Sequence, residues 1–414
     1  MNFEMIDGIA TLKLDLVATT TLAALLLMLG YFLKRKIDFL EKFCFPVPVI
    51  GGFVFAIFIW IFRITGTFHI SLDTTLQTPF MLAFFTTVGL GGSLALIKLG
   101  GKSLIIYLVF CWFLAVFQNT LGVGLAKMLD IHPVLGVMAG SVSLEGGHGA
   151  AATFGPEAEK LGVMGATAVA IASATFGLIA GNLTGGPLAR KLITKYNVEI
   201  KTADTGMGDY EALVSEAQAK ETITAKGFLF MMAVIGVMMV FGVWLSGWVK
   251  TLGIPNFFLP GYVGAMFGAI ILRNINDKTH TFVLNSRIID LMSDVSIGMF
   301  LSMAMMNLKI WELADLAIPL IIILVVQVAC LVALVYFVLF RLLGKDYDAA
   351  VMCAGAMGHG LGATPNAVAN MGAVSEHFGL RSNKAFLIVP LCGAVLIDLV
   401  GIPCIVFFIG AFAG

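Results

Sequence analysis

Apolar stretches of about 20 residues, the length that crosses a bilayer core, recur from one end of this chain to the other. Across 414 residues, apolar side chains make up 59% and charged ones only 12%, about half the charge of a soluble domain. The chain therefore reads as an all-α polytopic membrane protein, and a soluble enzyme is set aside. About ten candidate transmembrane helices fall near 16–33, 48–65, 79–97, 103–128 and 162–187, then 226–248, 258–272, 288–308, 314–342 and 384–408. No cleavable signal peptide is expected, because the first residues carry Glu4, Asp7 and Asp15 and lack a basic start. The six cysteines form no C-x-x-C pair and suggest neither a metal site nor a disulfide framework.

Two segments, near 133–156 and 347–373, are apolar but too rich in glycine for a plain helix. Charge decides how they run. If each segment returns to the side it entered from, and the N-terminus lies outside, the inside collects most of the basic residues. Lys34, Arg35, Lys36, Lys42, Arg190, Lys191, Lys195, Arg341 and Lys345 are among them, whereas Lys13, Arg63, Lys127, Lys160, Lys250 and Lys309 remain outside. That asymmetry is the kind that sets topology. Full crossings would move Arg190 through Lys226 outside, so the re-entrant reading is preferred. The two hairpins then enter from opposite faces, in two inverted-topology repeats spanning 1–195 and 226–414. A cytoplasmic linker, 196–225, joins them; within it 204–208 reads as flexible and 210–220 as a short amphipathic helix. Both termini are expected outside.

The repeat has sequence landmarks. Gly147-His148-Gly149 precedes Ala152-Thr153, and Gly358-His359-Gly360 precedes Ala363-Thr364. Asn182, Leu183, Gly185 and Pro187 fall in register with Asp398, Leu399, Gly401 and Pro403, and Gln118 with Gln327. Three landmarks in one order, with small gaps, exceed what small-residue packing motifs produce by chance.

Irregular backbone at membrane depth survives where it lines a site. The candidate substrate-binding residues are therefore Ser143, Gly146, Gly147, His148, Gly149 and Thr153 in the first segment. In the second they are Gly360, Gly362, Ala363, Thr364, Asn366 and Asn370. Hairpin tips leave helix-end N–H groups unpaired, and those receive carboxylates. His148 reads as a substrate hydrogen-bonding group or as a structural histidine tied to a carbonyl. Glu145 reads as a cation ligand, a local partner, or a group facing water. Asp398 inside the last span needs a reason: Na⁺ or H⁺ binding, or a hydrogen bond to a neighbouring hairpin. Asn307, Asp398 and Asn182 are the candidate Na⁺ sites, and Thr86 and Thr87 are polar groups along a path.

No Arg or Lys falls in the middle of a span, so an anionic substrate would be held by N–H groups, hydroxyls and amides, with a co-bound cation compensating charge. Oxygen donors suit a hard cation such as Na⁺, and no transition-metal pattern is present. Walker A and H-E-x-x-H sequences are missing. No cofactor is expected beyond Na⁺ as coupling ion, no nucleic acid is implicated, and the chain is read as not an enzyme.

Several stretches carry a resemblance. Met81–Leu90, Gly146-Gly-His-Gly149, Ala174–Leu178 and Gly185-Gly-Pro187 resemble the bacterial sodium/glutamate symporter family. So do Leu308–Ala314, Tyr347–Ala350, Gly360-Leu-Gly-Ala-Thr-Pro365 and Ala369–Met371. The likeness runs from the first helix to the last. It implies Na⁺-coupled uptake of L-glutamate across the bacterial inner membrane by alternating access, with opposed hairpins in a homodimer whose transport domain moves like an elevator. It places the substrate at the tips, Gly146–Gly149 and Gly360–Thr364. Two positions depart from the family pattern: Glu145, where a small or neutral residue is expected, and His359, where histidine is not. The competing readings are a Na⁺- or H⁺-coupled carrier of another small carboxylate such as citrate or malate, and a passive channel built on re-entrant loops.

Overall fold

Asp15 opens the first long helix by accepting a hydrogen bond from the Ala18 N–H at 2.9 Å, a cap that satisfies one orphan donor and holds its carboxyl below the usual carboxylate range. A computed structural model describes residues 2–6, 9–93, 95–201, 222–252, 259–313 and 316–413. The helices of the first half are α1 (Leu16–Lys36), α2 (Asp38–Lys42), α3 (Val47–Thr65), α4 (Gln77–Gly91) and α5 (Ala95–Met128). After them come α6 (Pro133–Val137), α7 (Gly147–Lys160) and α8 (Ala166–Lys195). The second half holds α9 (Ala225–Thr251), α10 (Gly261–Thr279), α11 (Ser286–Met306), α12 (Ala317–Leu334) and the short α13 (Phe340–Leu342). It closes with α14 (Tyr347–Gly360), α15 (Thr364–Phe378), α16 (Asn383–Leu391) and α17 (Asp398–Phe412).

Each half thus repeats one plan, with three helices (beside short connecting turns), a fourth that leads into a helical hairpin, and a fifth after it. Among the described residues, seven helices are long and apolar enough to cross a membrane. The other three expected spans have visible reasons for falling short. Helix α4 has only 15 residues and leaves helix at Gly92, short of the expected 97. Helix α10 ends in the charged Arg273, Asp277 and Lys278. The last span divides into α16, a π-helical turn at Cys392–Leu396, and α17. Such a turn carries one extra residue in the helix, and further π turns occur at Met138–Val142 and Val335–Leu339.

Strands were not expected from the sequence. Asn2–Ile6 (β1) pairs antiparallel with Ile9–Leu14 (β2), which pairs in parallel with Phe68–Leu72 (β3). The sheet ties the entry of α1 to the exit of α3, so those two ends lie on one side. The expected features at 204–208 and 210–220 lie outside the described residues.

The two hairpins are α6 with its π turn plus α7, and α14 plus α15. Helix α8 runs along both. Gly155 abuts Thr167 near its start, and His148 reaches Thr175. At Gly177 an added methyl would overlap the Leu361 carbonyl and press on Leu144, so both tips arrive there. Beyond that point only the second hairpin is touched: Asn366 at Leu178, then Asn370 at Gly181. The hairpins therefore lie end to end and opposed. From Thr167 to Gly185 at 1.5 Å per residue is about 27 Å, close to the roughly 30 Å of a bilayer core.

Candidate functional site

Pro133 starts the first arm at a position where its missing N–H costs nothing, and the His132 ring accepts from the Val134 N–H at 3.3 Å. The arm then loosens into the π turn, where Gly140 breaks helical geometry at φ −104°, ψ −135°. Asn119 of α5 fills the gap, its Oδ1 accepting from the Ser141 N–H at 3.0 Å and the Ser141 hydroxyl at 2.9 Å. After the tip, Gly147 takes φ +58°, a left-handed turn that suits glycine, and its Cα faces the Gly362 carbonyl, 2.8 Å from where a Cβ would be. Helix α7 begins there. Across the contact, Ala363 is extended at φ −168° and Thr364-Pro365 starts α15.

Both second arms thus begin at the meeting point, and neither start has a side-chain cap. Their first-turn N–H groups, each set carrying the positive end of a helix dipole, converge from opposite directions. The first arms end at the same place, presenting the carbonyl-rich, negative ends of their helices.

A cavity of about 500 Å³ opens against these tips. Glu145 through Ala150 line it from the first hairpin, and Ala363, Thr364 and Pro365 from the second. Phe84, Phe85 and Val88 of α4 and Ile297 and Leu301 of α11 supply an apolar wall; Gly393, Asp398 and Gly401 bring in the last span. Lys34 also lines it, with its ammonium donating to the Phe45 carbonyl at 2.9 Å.

The expected residues divide by position. Gly146, Gly147, His148, Gly149, Ala363, Thr364 and Asp398 share this one cavity. His148 is 4% exposed, with Nε2 at 3.0 Å from the Thr175 hydroxyl. The remainder are tied into the surrounding framework. Ser143 donates to the carbonyls of Met138 and Ala170. Thr153 donates to the Gly149 carbonyl within its own helix, and Gly360 offers its carbonyl to the Gln118 amide at 2.8 Å. Gly362 packs beside Leu178. Asn366 donates to the Leu178 carbonyl at 3.1 Å and Asn370 to that of Gly181 at 3.0 Å, so their shared face serves to pin α15 onto α8. Asn182 is half-buried, and its Nδ2 has no partner. Asn307 is exposed and lines a separate cavity with Gln77 and Glu312. Thr86 and Thr87 bond back to Leu82 and Phe84 and leave the wall to their phenylalanine neighbours.

Those phenylalanines, with Lys34 and the apolar residues of α11, were not singled out from the sequence. The only signal was Met81–Leu90, read for its likeness and not for its aromatic pair.

Opposed hairpins, uncapped helix starts and a shared open cavity at their tips define a multi-pass membrane protein built like a secondary carrier. A model of the sodium/glutamate symporter family matches residues 12–380. The sodium/glutamate symporter of Haemophilus influenzae is 42% identical over 384 residues, covering 92% of this chain and 94% of that protein. That of Escherichia coli is 39% identical over 391 residues, covering 94% and 95%. The chain belongs to the sodium/glutamate symporter family. Among solved structures, a sodium proton antiporter from Methanocaldococcus jannaschii aligns over 97% of this chain and 100% of its own, at 12% identity and a TM-score of 0.44, too weak a likeness to carry any argument.

Proposed function

We propose that this protein takes up L-glutamate with Na⁺ across the bacterial inner membrane by alternating access. The observation that carries the reading is the pair of uncapped helix starts at Gly147 and Thr364 on one cavity. Glutamate has two carboxylates, and each helix N-terminus is a receptor for one. The cavity volume lies within the range of small-molecule sites. Its only basic lining side chains are Lys34 and His148, too few to balance two substrate carboxylates together with Glu145 and Asp398, so a co-bound cation supplies the compensating charge. Na⁺ sits near Asp398, with oxygen donors from the carbonyl ends of the first arms. Asn182 and Asn307 stand as further Na⁺ candidates, the latter on an access route and not at the tips.

Both termini face outside, and the linker is cytoplasmic, as the distribution of Lys and Arg favours. Both hairpins and α8 travel together, which their continuous packing supports, within the homodimer that the family resemblance implies. Proteoliposomes with an imposed Na⁺ gradient test it: labelled glutamate should accumulate above its outside concentration. Accumulation of citrate or malate but not glutamate would reverse the substrate assignment, and equilibration without concentration would favour a channel. Asp398→Asn should raise the Na⁺ concentration for half-maximal uptake; unchanged Na⁺ dependence would return that carboxylate to a structural role.

A further inference from the structure

Of the two acids on the cavity, Asp398 is used by the carboxylate-and-Na⁺ reading and Glu145 is left without a task. It is 8% exposed, yet its Oε1 has no hydrogen-bond partner. Leaving an ionised oxygen unpaired in an apolar setting is costly. Capping does not explain it, because the helix that starts two residues later has no side-chain cap. A multi-carboxylate metal cage does not explain it either, since no group of three or more His, Cys, Asp or Glu gathers among the described residues, and the Na⁺ reading above already uses Asp398.

We infer that Glu145 receives the α-ammonium group of the substrate and so selects an α-amino acid over a plain dicarboxylate. The inference rests on the glutamate reading above. An α-amino acid carries its ammonium and one carboxylate on the same carbon, so their receptors must stand side by side. Glu145 and the helix start at Gly147 do so, two residues apart and both on the cavity. An ammonium needs acceptors. Ser141, also on the cavity wall, donates its hydroxyl proton to Asn119 and keeps its oxygen lone pairs for a second bond. Lys34 donates to the Phe45 carbonyl and forms no ion pair with Glu145, whose Oε1 stays without a partner. The bound ammonium therefore completes a charge pair whose acid half is already buried.

The test is a cycle between side chain and ligand. Glutamate and glutarate, which has the same two carboxylates and no ammonium, are titrated calorimetrically at saturating Na⁺ into purified wild type and Glu145→Gln. Wild type should prefer glutamate. In Glu145→Gln that preference should fall by about tenfold to a hundredfold, the span of a charge-assisted hydrogen bond, chiefly through weaker glutamate binding. Glu145→Asp, which keeps the charge on a shorter stem, should retain part of the preference. A glutamate-to-glutarate ratio equal in wild type and both variants overturns the inference, and so does a change seen only in pH or Na⁺ dependence. If wild type binds neither ligand, the glutamate reading falls and takes the inference with it. If wild type binds glutamate and the ratio does not move, the inference falls alone.

Discussion

The two hairpins share a plan but divide the work. The first turns its tip, Glu145 through Ala150, toward the cavity and carries the acid and the hydrogen-bonded histidine. The second offers only Ala363, Thr364 and Pro365 and is fastened by amides, with Gln118, Asn366 and Asn370 each donating to a backbone carbonyl. We read the first hairpin as the sensor, because it brings side chains to the cavity, and the second as the floor, because it is the more heavily fastened. Each tip still offers a helix start to a carboxylate. Their Gly-His-Gly triplets express the difference. In the first hairpin the triplet follows the tip and opens α7; in the second it precedes the tip and ends α14. The matching letters therefore occupy opposite arms. The true counterpart of Gly147 is Thr364, at nearly the spacing that relates Asn182 to Asp398.

The harshest way to break the comparison is Gly177→Ala. The new methyl meets the Leu361 backbone carbonyl, which cannot swing aside, and also Leu144. Both tips shift at once, and uptake should fall to near background even where the protein folds. Next comes Asn370→Ala, which strips donors from the Gly181 and Ala354 carbonyls. A loss of about 1–3 kcal/mol is expected, read as a lower thermal transition in detergent. Ser143→Ala in the first hairpin should cost about 1 kcal/mol by the same measurement, because only hydroxyl donations are removed. An equal loss at both positions would erase the distinction between floor and sensor.

The histidines sharpen it further. His359→Leu should leave stability and uptake nearly unchanged, since neither ring nitrogen has a hydrogen-bond partner and an apolar group loses nothing there. His148→Leu should weaken glutamate affinity several-fold by removing from the cavity wall a ring that Thr175 holds in place. Similar kinetics for the two variants would contradict the division. The smallest effect is expected of Gly149→Ala, whose methyl meets only Phe84 at 3.9 Å; affinity should change less than twofold.

Much of this architecture was legible because bilayer physics leaves few options. Length, apolarity and the Lys/Arg distribution marked both hairpins, and their expected limits near 133–156 and 347–373 compare with observed ends at Lys160 and Phe378. The site was less legible, for physical reasons. A glycine that lines a cavity and one that admits a neighbouring helix look alike in sequence: Gly146 lines the cavity and Gly155 lies against Thr167. Asn366 and Asn370 were read as ligands from their place in the second glycine-rich segment, and their amide N–H groups donate to carbonyls of α8, while Asn366 Oδ1 keeps no partner. The aromatic wall of α4 was hidden because phenylalanine is common in any span. The N-terminal sheet was missed because its strands are only five or six residues long and one of its two pairings joins residues more than fifty positions apart, which no local pattern reports.

The π turn at Cys392–Leu396 gives the chain's length an unexpected role. It stores one residue more than an α-helix needs between Pro390 and Asp398. Deleting a single codon there would let the turn relax to α geometry with its hydrogen bonds intact. Because the wide turn absorbs that residue, the flanking segments would keep nearly their present register. Deleting one residue from the plain α-helix before it would instead turn everything beyond by about 100° around the helix axis and swing Asp398 off the cavity wall. In this span spacing is inherited information, and an indel in the plain helix would be as decisive as a substitution.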